Sequence, residues 1–366
     1  MKKSYKDLFF LNISLLIVFI IFLFSISLNI PPDTERFLYW IKNTYNFSLK
    51  ENLNYLTNQK GGEGVFFLIS LYIFKFFSYL DFNIKILFQF LNIFVILLAV
   101  NFIYLRFKLN LIIYIPITIL VIFINYEFSQ WIYIPLTDLF FFSLVFFVIF
   151  FYNEKKYLLT TFLFFIALFT KPTGINLVII FIQLLFYENF FKNKNFYLKF
   201  ILFNILLIII VNVILYYDLQ IPILKDRLGF LNQNFNEGII VIDRPYHNVD
   251  FDGSLLDQFK IFTFKIIFFF KFTDIKFSFF HNVVNLVVFS ILYASTFLSL
   301  FYKDVNKKDL KLIHINLLVI MSYAVFHSIT WIDYDWRFRG VIILPLFANL
   351  IIYIKNLKIL TKNEKN

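Results

Sequence analysis

The sequence predicts an all-α, polytopic transmembrane protein of about ten crossings (roughly nine to twelve), with N and C termini in the cytoplasm. Three observations predict it. The chain is 60% hydrophobic and 16% charged, and it holds several apolar stretches of about 20 residues, enough to cross ~30 Å of hydrocarbon. Segments such as Ile13–Phe24 and Leu202–Leu215 have almost no polar face, whereas a soluble helix needs one. Finally, lysine and arginine fall in every second connection: Lys2, Lys3, Lys6; Arg106, Lys108; Lys155, Lys156; Lys192, Lys194, Lys199; Lys303, Lys307, Lys308, Lys311; Lys355, Lys358, Lys362, Lys365. The alternate connections hold most of the 23 acidic residues, so the positive-inside bias puts the polar chemistry on the far side. Period-two alternation with short turns is absent, which argues against an outer-membrane barrel.

Taken in order, the first crossing starts near Leu8. Its MKKSYK start and Ser25-Ile26-Ser27 resemble a signal peptide, but removing the helix would spoil the charge alternation, so it is read as uncleaved. Pro31-Pro32 stop it, and residues 31–63 form the first outer loop, with juxtamembrane helices over Thr34–Tyr45 and Leu49–Asn58. Gly61-Gly62 break that pattern. Val65–Leu80 is short and carries Lys75, so it reads as a juxtamembrane or re-entrant helix. Further crossings begin near Ile84, Leu111, Pro135, Tyr157, Thr173, Phe196, Phe277, Leu312 and Gly340. The outer connections are Asn125–Asp138, a tight turn at Lys171-Pro172-Thr173-Gly174, the large loop 218–276 ending in an interfacial helix at Phe259–Phe272, and Trp331–Arg339. No repeat is evident, which argues against duplicated transporter folds. Residues 1–366 read as one transmembrane domain.

Composition also excludes function classes. A net charge of +11 would suggest nucleic acid in a soluble protein, but here the basic residues set topology and no nucleic-acid partner is expected. With no cysteine, disulfides, thiolate chemistry and Cys-type zinc sites are excluded. His247, His281, His314 and His327 have no metal-ligand spacing. The 57 Phe read as drift in an apolar solvent rather than as binding sites.

Several polar groups stand out at helix mouths. Asp33 and Glu35, in Pro32-Asp33-Thr34-Glu35-Arg36, can act as a general base or hold a divalent cation; equally, Asp33 can cap the following helix. Asp138 opens an apolar helix, where an unpaired carboxylate costs on the order of 2–3 kcal/mol, so it faces a cavity or a partner, or caps the helix. Lys171 needs an anion, from an Asp or from a ligand phosphate, unless it snorkels to the interface. Trp331–Arg339 alternates charge and aromatic. Arg337 and Arg339 suit bidentate phosphate binding, or an Asp–Arg network closing the helix end. His327 reads as packed or hydrogen-bonded. Together these put three carboxylates and three cations on one membrane face, which fits an anionic, lipid-anchored substrate.

In this order the motifs resemble the GT-C superfamily of integral-membrane glycosyltransferases. Pro32-Asp33-Thr34-Glu35 stands where that family's acidic motif follows the first helix, Asp138 at its second acidic position, and Lys171-Pro172-Thr173-Gly174 at a basic-Pro-Gly turn. Trp336-Arg337-Phe338-Arg339 precedes a helix with Pro345, as in many members. The Asp-x-Glu spacing and the Gly-Gly-Glu63-Gly stretch depart from the usual pattern. The resemblance implies inverting transfer of a sugar from a polyprenyl-phosphate donor to a lipid-linked glycan or other acceptor, on the periplasmic face of a bacterial inner membrane. Asp33, Glu35 and Asp138 would be catalytic, Lys171, Arg337 and Arg339 would hold the donor phosphate, and Glu63, Arg244 and His247 would meet the acceptor. No cofactor is certain; a magnesium or manganese ion, if used, would sit on Asp33, Glu35 and Asp138. Two other readings stay open. A membrane polysaccharide polymerase is suggested by Gly62-Glu63-Gly64 and by the basic content of the loop 218–276. The other is a transporter or flippase of lipid-linked substrates.

Overall fold

The computed structural model describes residues 2–25, 32–58, 65–80, 83–134, 136–190, 202, 205, 206, 209, 237–240, 248–250, 254–275, 277–301, 305–329 and 339–363. Among the described residues the regular structure is all helical, with no strand. The helices are α1 (Lys2–Ser25), α2 (Pro32–Thr44), α3 (Leu49–Thr57), α4 (Leu68–Tyr79), α5 (Ile84–Phe107), α6 (Leu111–Thr118), α7 (Tyr126–Tyr133), α8 (Asp138–Asn153), α9 (Tyr157–Leu168), α10 (Asn176–Phe190), α11 (Leu255–Phe270), α12 (Phe279–Ser299), α13 (Lys307–Ile329) and α14 (Gly340–Asn363).

Among the described residues five helices are long and apolar enough to cross a membrane: Tyr5–Phe22, Ile86–Phe107, Phe279–Ser299, Lys307–Ile329 and Gly340–Leu357. The segment from Leu111 is a sixth only as a bent pair. It continues from α6 through a π-helical stretch, Ile119–Ile124, then turns by 76° into α7. The apolar segments from Pro135, Tyr157 and Thr173 form shorter helices of 16, 12 and 15 residues, below the ~20 that a crossing needs. The segment from Phe196 lies almost wholly outside the described residues, as does much of the loop 218–276.

A helix broken among apolar neighbours must have its backbone groups satisfied from elsewhere. Asn125 begins α7 by accepting from the Glu127 N–H at 3.2 Å. At the other end, α5 supplies the donors: Asn92 Nδ2 reaches Trp131 O at 3.1 Å and Ile134 O at 3.2 Å, and Gln89 Nε2 reaches Tyr133 O at 3.2 Å.

The core is built round α8. Its sequence DLFFFSLVFFVIFFYN is apolar on every side, which suits a helix enclosed by others, and its buried residues run almost unbroken from Asp138 to Tyr152. Gly340 lets α14 close onto it, because a Cβ there would lie 2.3 Å from the Phe142 ring.

One end of the bundle is basic and tied by ion pairs. Arg106 joins Glu154 at 2.9 Å and Asp309 at 3.2 Å, and Lys355 joins Asp309 at 3.1 Å. Tyr104 donates to Asp7 at 3.1 Å. The start of α1, the ends of α5, α8 and α14, and the start of α13 therefore meet there, gathering connections that the sequence places on one side.

Helices α2–α4 pack into a second, smaller core from Phe37, Trp40, Leu56, Phe67, Leu71 and Phe74, closed by Phe88 of α5. Helix α3 opens with a reciprocal cap: Ser48 N–H donates to Glu51 at 2.7 Å and Glu51 N–H to Ser48 Oγ at 3.4 Å. That bonding holds the Glu51 carboxyl below its ordinary pKa. Helix α4, at 12 residues, is about 18 Å long, a short helix within the Val65–Leu80 segment of the sequence reading. The α2 and α3 expectations likewise agree with the helices found.

Candidate functional site

The charged mouth forms where α8 starts, where α9 turns into α10, and where α4 leans in from the smaller core. Helices α5 and α8 share the basic end through Arg106 and Glu154, but have 24 and 16 residues. At 1.5 Å per residue, α8 is about 12 Å shorter than α5. Asp138, in the first turn of α8, is buried at 1% exposure.

Its partner is Lys171, 6% exposed, whose Nζ donates to Asp138 Oδ1. The turn that aims Lys171 is fixed by sterics. A Cβ at Gly174 would lie 2.7 Å from Ala167 O and 2.9 Å from Leu168 Cα, so only glycine lets the chain double back this closely. Gly174 N–H donates to Lys171 O at 2.9 Å, and Pro172–Ile175 form one 3₁₀ turn.

Ser70 ties α4 to both sides of this pair. Its Oγ lies 2.7 Å from Thr137 Oγ1 and donates to Thr170 O at 2.7 Å; these are the residues just before Asp138 and Lys171. Ile69 N–H donates to Phe169 O at 2.9 Å. The same start of α4 receives α2, since the Arg36 guanidinium sits 5.3 Å from the ring centroids of Trp40 and Phe67. The first turns of α2, which carry Asp33 and Glu35, and the Asp138–Lys171 pair thus have α4 as a common neighbour. At the far end of α2, the buried Lys75 donates to Thr44 O and, at 2.8 Å, to Asn52 Oδ1. Burial lowers the Lys75 ammonium from its ordinary pKa.

Arg339 has a different setting. Its Nε donates to Glu127 Oε2 at 2.8 Å, its Nη2 to Glu127 Oε1, and its Nη1 to Lys271 O and, at 3.2 Å, to Phe269 O. The guanidinium lies 4.8 Å from the Phe289 ring centroid, and Asn285 Nδ2 donates to Glu127 at 3.2 Å. The ion pair that locks the start of α14 is thus made with a glutamate of α7. His327 is buried and stacked between Phe269 at 5.7 Å and Tyr323 at 6.1 Å, a packed residue as the sequence reading has it.

Of the residues singled out from sequence, the structure brings Asp138 and Lys171 together and sets Arg339 on Glu127. Glu35 is exposed on α2. Asp33 lies in the first turn of α2 with its side chain outside the described residues, and Glu63, Arg244, His247 and Arg337 also lie outside them. Sequence reasoning missed Glu127, Ser70 and Asn176. The acid of Asn125-Tyr126-Glu127 was a usable signal, since Asn before Glu marks a helix start; nothing local marks Ser70. Among the described residues no three His, Cys, Asp or Glu side chains are grouped to hold a metal, and the positive charge facing Asp138 comes from a lysine.

Comparison of the chain with protein-family models, with characterised proteins and with solved structures finds no match.

Proposed function

We propose that this protein is a GT-C-type integral-membrane glycosyltransferase that moves a sugar, with inversion, from a polyprenyl-phosphate donor to a lipid-linked glycan or similar acceptor. The observation that carries the reading is the buried Asp138–Lys171 pair, built against the helix α4 that also receives the acid-bearing α2. In this reading the chain makes about ten crossings, counting α8, α9 and α10 as spans of a locally thinned or protein-surrounded layer and leaving out α4, which Lys75 ties to α2 and α3. The basic end faces the cytoplasm, and the mouth opens on the periplasmic side of a bacterial inner membrane.

The chemistry follows from the charges. The donor's tail lies between helices and its phosphate approaches Lys171, which Asp138 orients; Arg337 would add a bidentate contact. Asp33 takes the proton of the acceptor hydroxyl as that oxygen attacks the anomeric carbon from the face opposite the phosphate. The anomeric C–O bond breaks, and polyprenyl phosphate leaves with the electron pair. Cations held in place beforehand stabilise the charge growing on it. The burial of the pair would keep water, the competing nucleophile, away from the anomeric carbon. Arg339, spent on Glu127 and two carbonyls, serves this reading by holding α14 rather than by binding the donor.

The test is transfer of label from radiolabelled polyprenyl-phosphate sugar to membrane acceptors in inverted vesicles. Asp33→Asn is expected to cut turnover by about 10²–10⁴-fold, the usual worth of a general base, with folding intact. Near-normal turnover in that variant would favour a polymerase. Movement of substrate across sealed liposomes without a covalent product would favour a transporter.

A further inference from the structure

Asn176 opens α10, five residues beyond Lys171 and just past the tight turn at Gly174. It is fully buried, at 0% exposure, and neither its Oδ1 nor its Nδ2 has a hydrogen-bond partner. An asparagine at a helix start normally caps it, but this Oδ1 accepts from no N–H. Several other buried asparagines use at least one amide atom within the chain. Asn92 closes the end of α7, Asn52 bonds Phe47 O and Tyr72 Oη at 3.0 Å each, Asn316 bonds Asn349 at 2.7 Å, and Asn285 bonds Glu127. Among the described residues, Asn176 is the asparagine with both amide atoms left over.

Its position on α10 is also informative. Asn176, Leu177, Ile180, Gln183 and Leu184 are buried while Val178, Ile182 and Leu185 are exposed, so one face of the helix turns inward. Seven residues along that face, Gln183 Oε1 accepts from Ser322 of α13. The inward face of α10 therefore looks across to α13, and Asn176 stands at its upper end, nearest the charged mouth. A buried polar group without a partner is a standing cost that an apolar residue of similar size avoids. A partner from outside the chain would remove that cost by supplying the bonds.

We propose that the Asn176 carboxamide is a hydrogen-bonding subsite for the hydroxyl- and phosphate-bearing head of the lipid-linked substrate, on the far side of the Pro172–Ile175 turn from Lys171. The Nδ2 donates to a phosphate or sugar oxygen and the Oδ1 accepts from a sugar hydroxyl, the two functions a carboxamide offers at once. This deepens the glycosyltransferase reading and rests on it for the identity of the ligand.

The test uses Asn176→Leu, close in size, and Asn176→Ala, in the full-length protein in detergent. Two quantities are measured: the unfolding temperature with and without added polyprenyl phosphate, and KM for the radiolabelled donor. A residue kept for the ligand predicts an unliganded Tm equal to or above wild type, loss of most of the polyprenyl-phosphate Tm shift, and a donor KM raised about ten-fold or more, the loss expected for one or two hydrogen bonds. A fall in unliganded Tm with an unchanged ligand shift would assign Asn176 a structural role and overturn the proposal. So would a wild-type protein that polyprenyl phosphate does not stabilise. Because the ligand shift is read without turnover, a wild type that binds but transfers nothing would sink the enzyme reading and leave Asn176 to be judged on binding alone.

Discussion

Arg339 clasps Glu127 through two of its nitrogens, joining the start of the last helix to a short helix that begins at a 76° bend. The pair is 1% and 2% exposed, and breaking one partner of such a pair leaves the other charged and buried. Arg339→Met and Glu127→Gln are each expected to destabilise by about 3–5 kcal/mol, while replacing both with apolar residues returns much of that loss. Thermal unfolding of the purified single and double variants checks it. Additive losses would rule out the pair as a unit.

The Asp138–Lys171 pair should behave alike in stability but differently in activity. Asp138→Asn and Lys171→Met are each expected to lower the unfolding temperature, with the double variant less affected than the sum. Transfer should stay abolished in the double variant, because a repaired fold does not restore a cation for the phosphate. Recovery of both together would remove the pair from the site.

Gly174→Ala places a methyl group against backbone atoms 2.7 and 2.9 Å away, which cannot move as a side-chain tip can. The expected cost is about 1–3 kcal/mol of overpacking, together with displacement of Lys171. A substitution that leaves Tm and donor KM untouched would mean that the turn does not aim the lysine.

Lys265 of α11 gives a pH signature. Its burial lowers the ammonium from 10.5 to about 7. Between those values the unfolded chain holds a proton that the folded chain lacks, so stability should rise as pH is raised from about 7, by at most about 1.4 kcal/mol per unit. Below about 7 both states are protonated and this slope vanishes, with the full burial cost present. Unfolding of wild type and Lys265→Met across pH 6–10 isolates the effect: the variant should lose the rise and be the more stable at pH 7.

Because the chain has no cysteine, sidedness is directly measurable. Single cysteines at the exposed Lys50 of α3 and Lys308 of α13 should label oppositely with an impermeant maleimide in intact cells, the first readily and the second only after permeabilisation. Labelling of both from outside would refute the orientation.

Much of the architecture was legible because charge and hydropathy act over whole segments. The basic connections around Arg106, Lys155, Lys308 and Lys355 do meet at one end, and the short Val65–Leu80 segment is a short helix. Lys171 announced its need for an anion through the cost of an isolated cation in an apolar run, and Asp138 answers it from 33 positions away. Arg339 carried the same announcement, but Glu127 lies 212 positions off, and sequence gives no distance across a fold. The break at Asn125 was legible as the start of an outer connection, but not that the connection holds α7, turned by 76°; side chains of α5 satisfy its end, and those contacts are wholly tertiary. The number of long spans was less legible, since α8, α9 and α10 are apolar throughout yet only 16, 12 and 15 residues long.

On the proposed reading, the difference in length between α5 and α8, 24 against 16 residues, would make bilayer thickness a variable of the site. With longer neighbours in α5, α13 and α14, lipids of shorter chain would bring the headgroup plane down toward Asp138, while thicker, stiffer lipids would bury it further. A lipid-borne phosphate would then have less or more hydrocarbon to traverse before reaching Lys171. Membrane composition would thus set how readily the mouth is supplied, without any change in the protein.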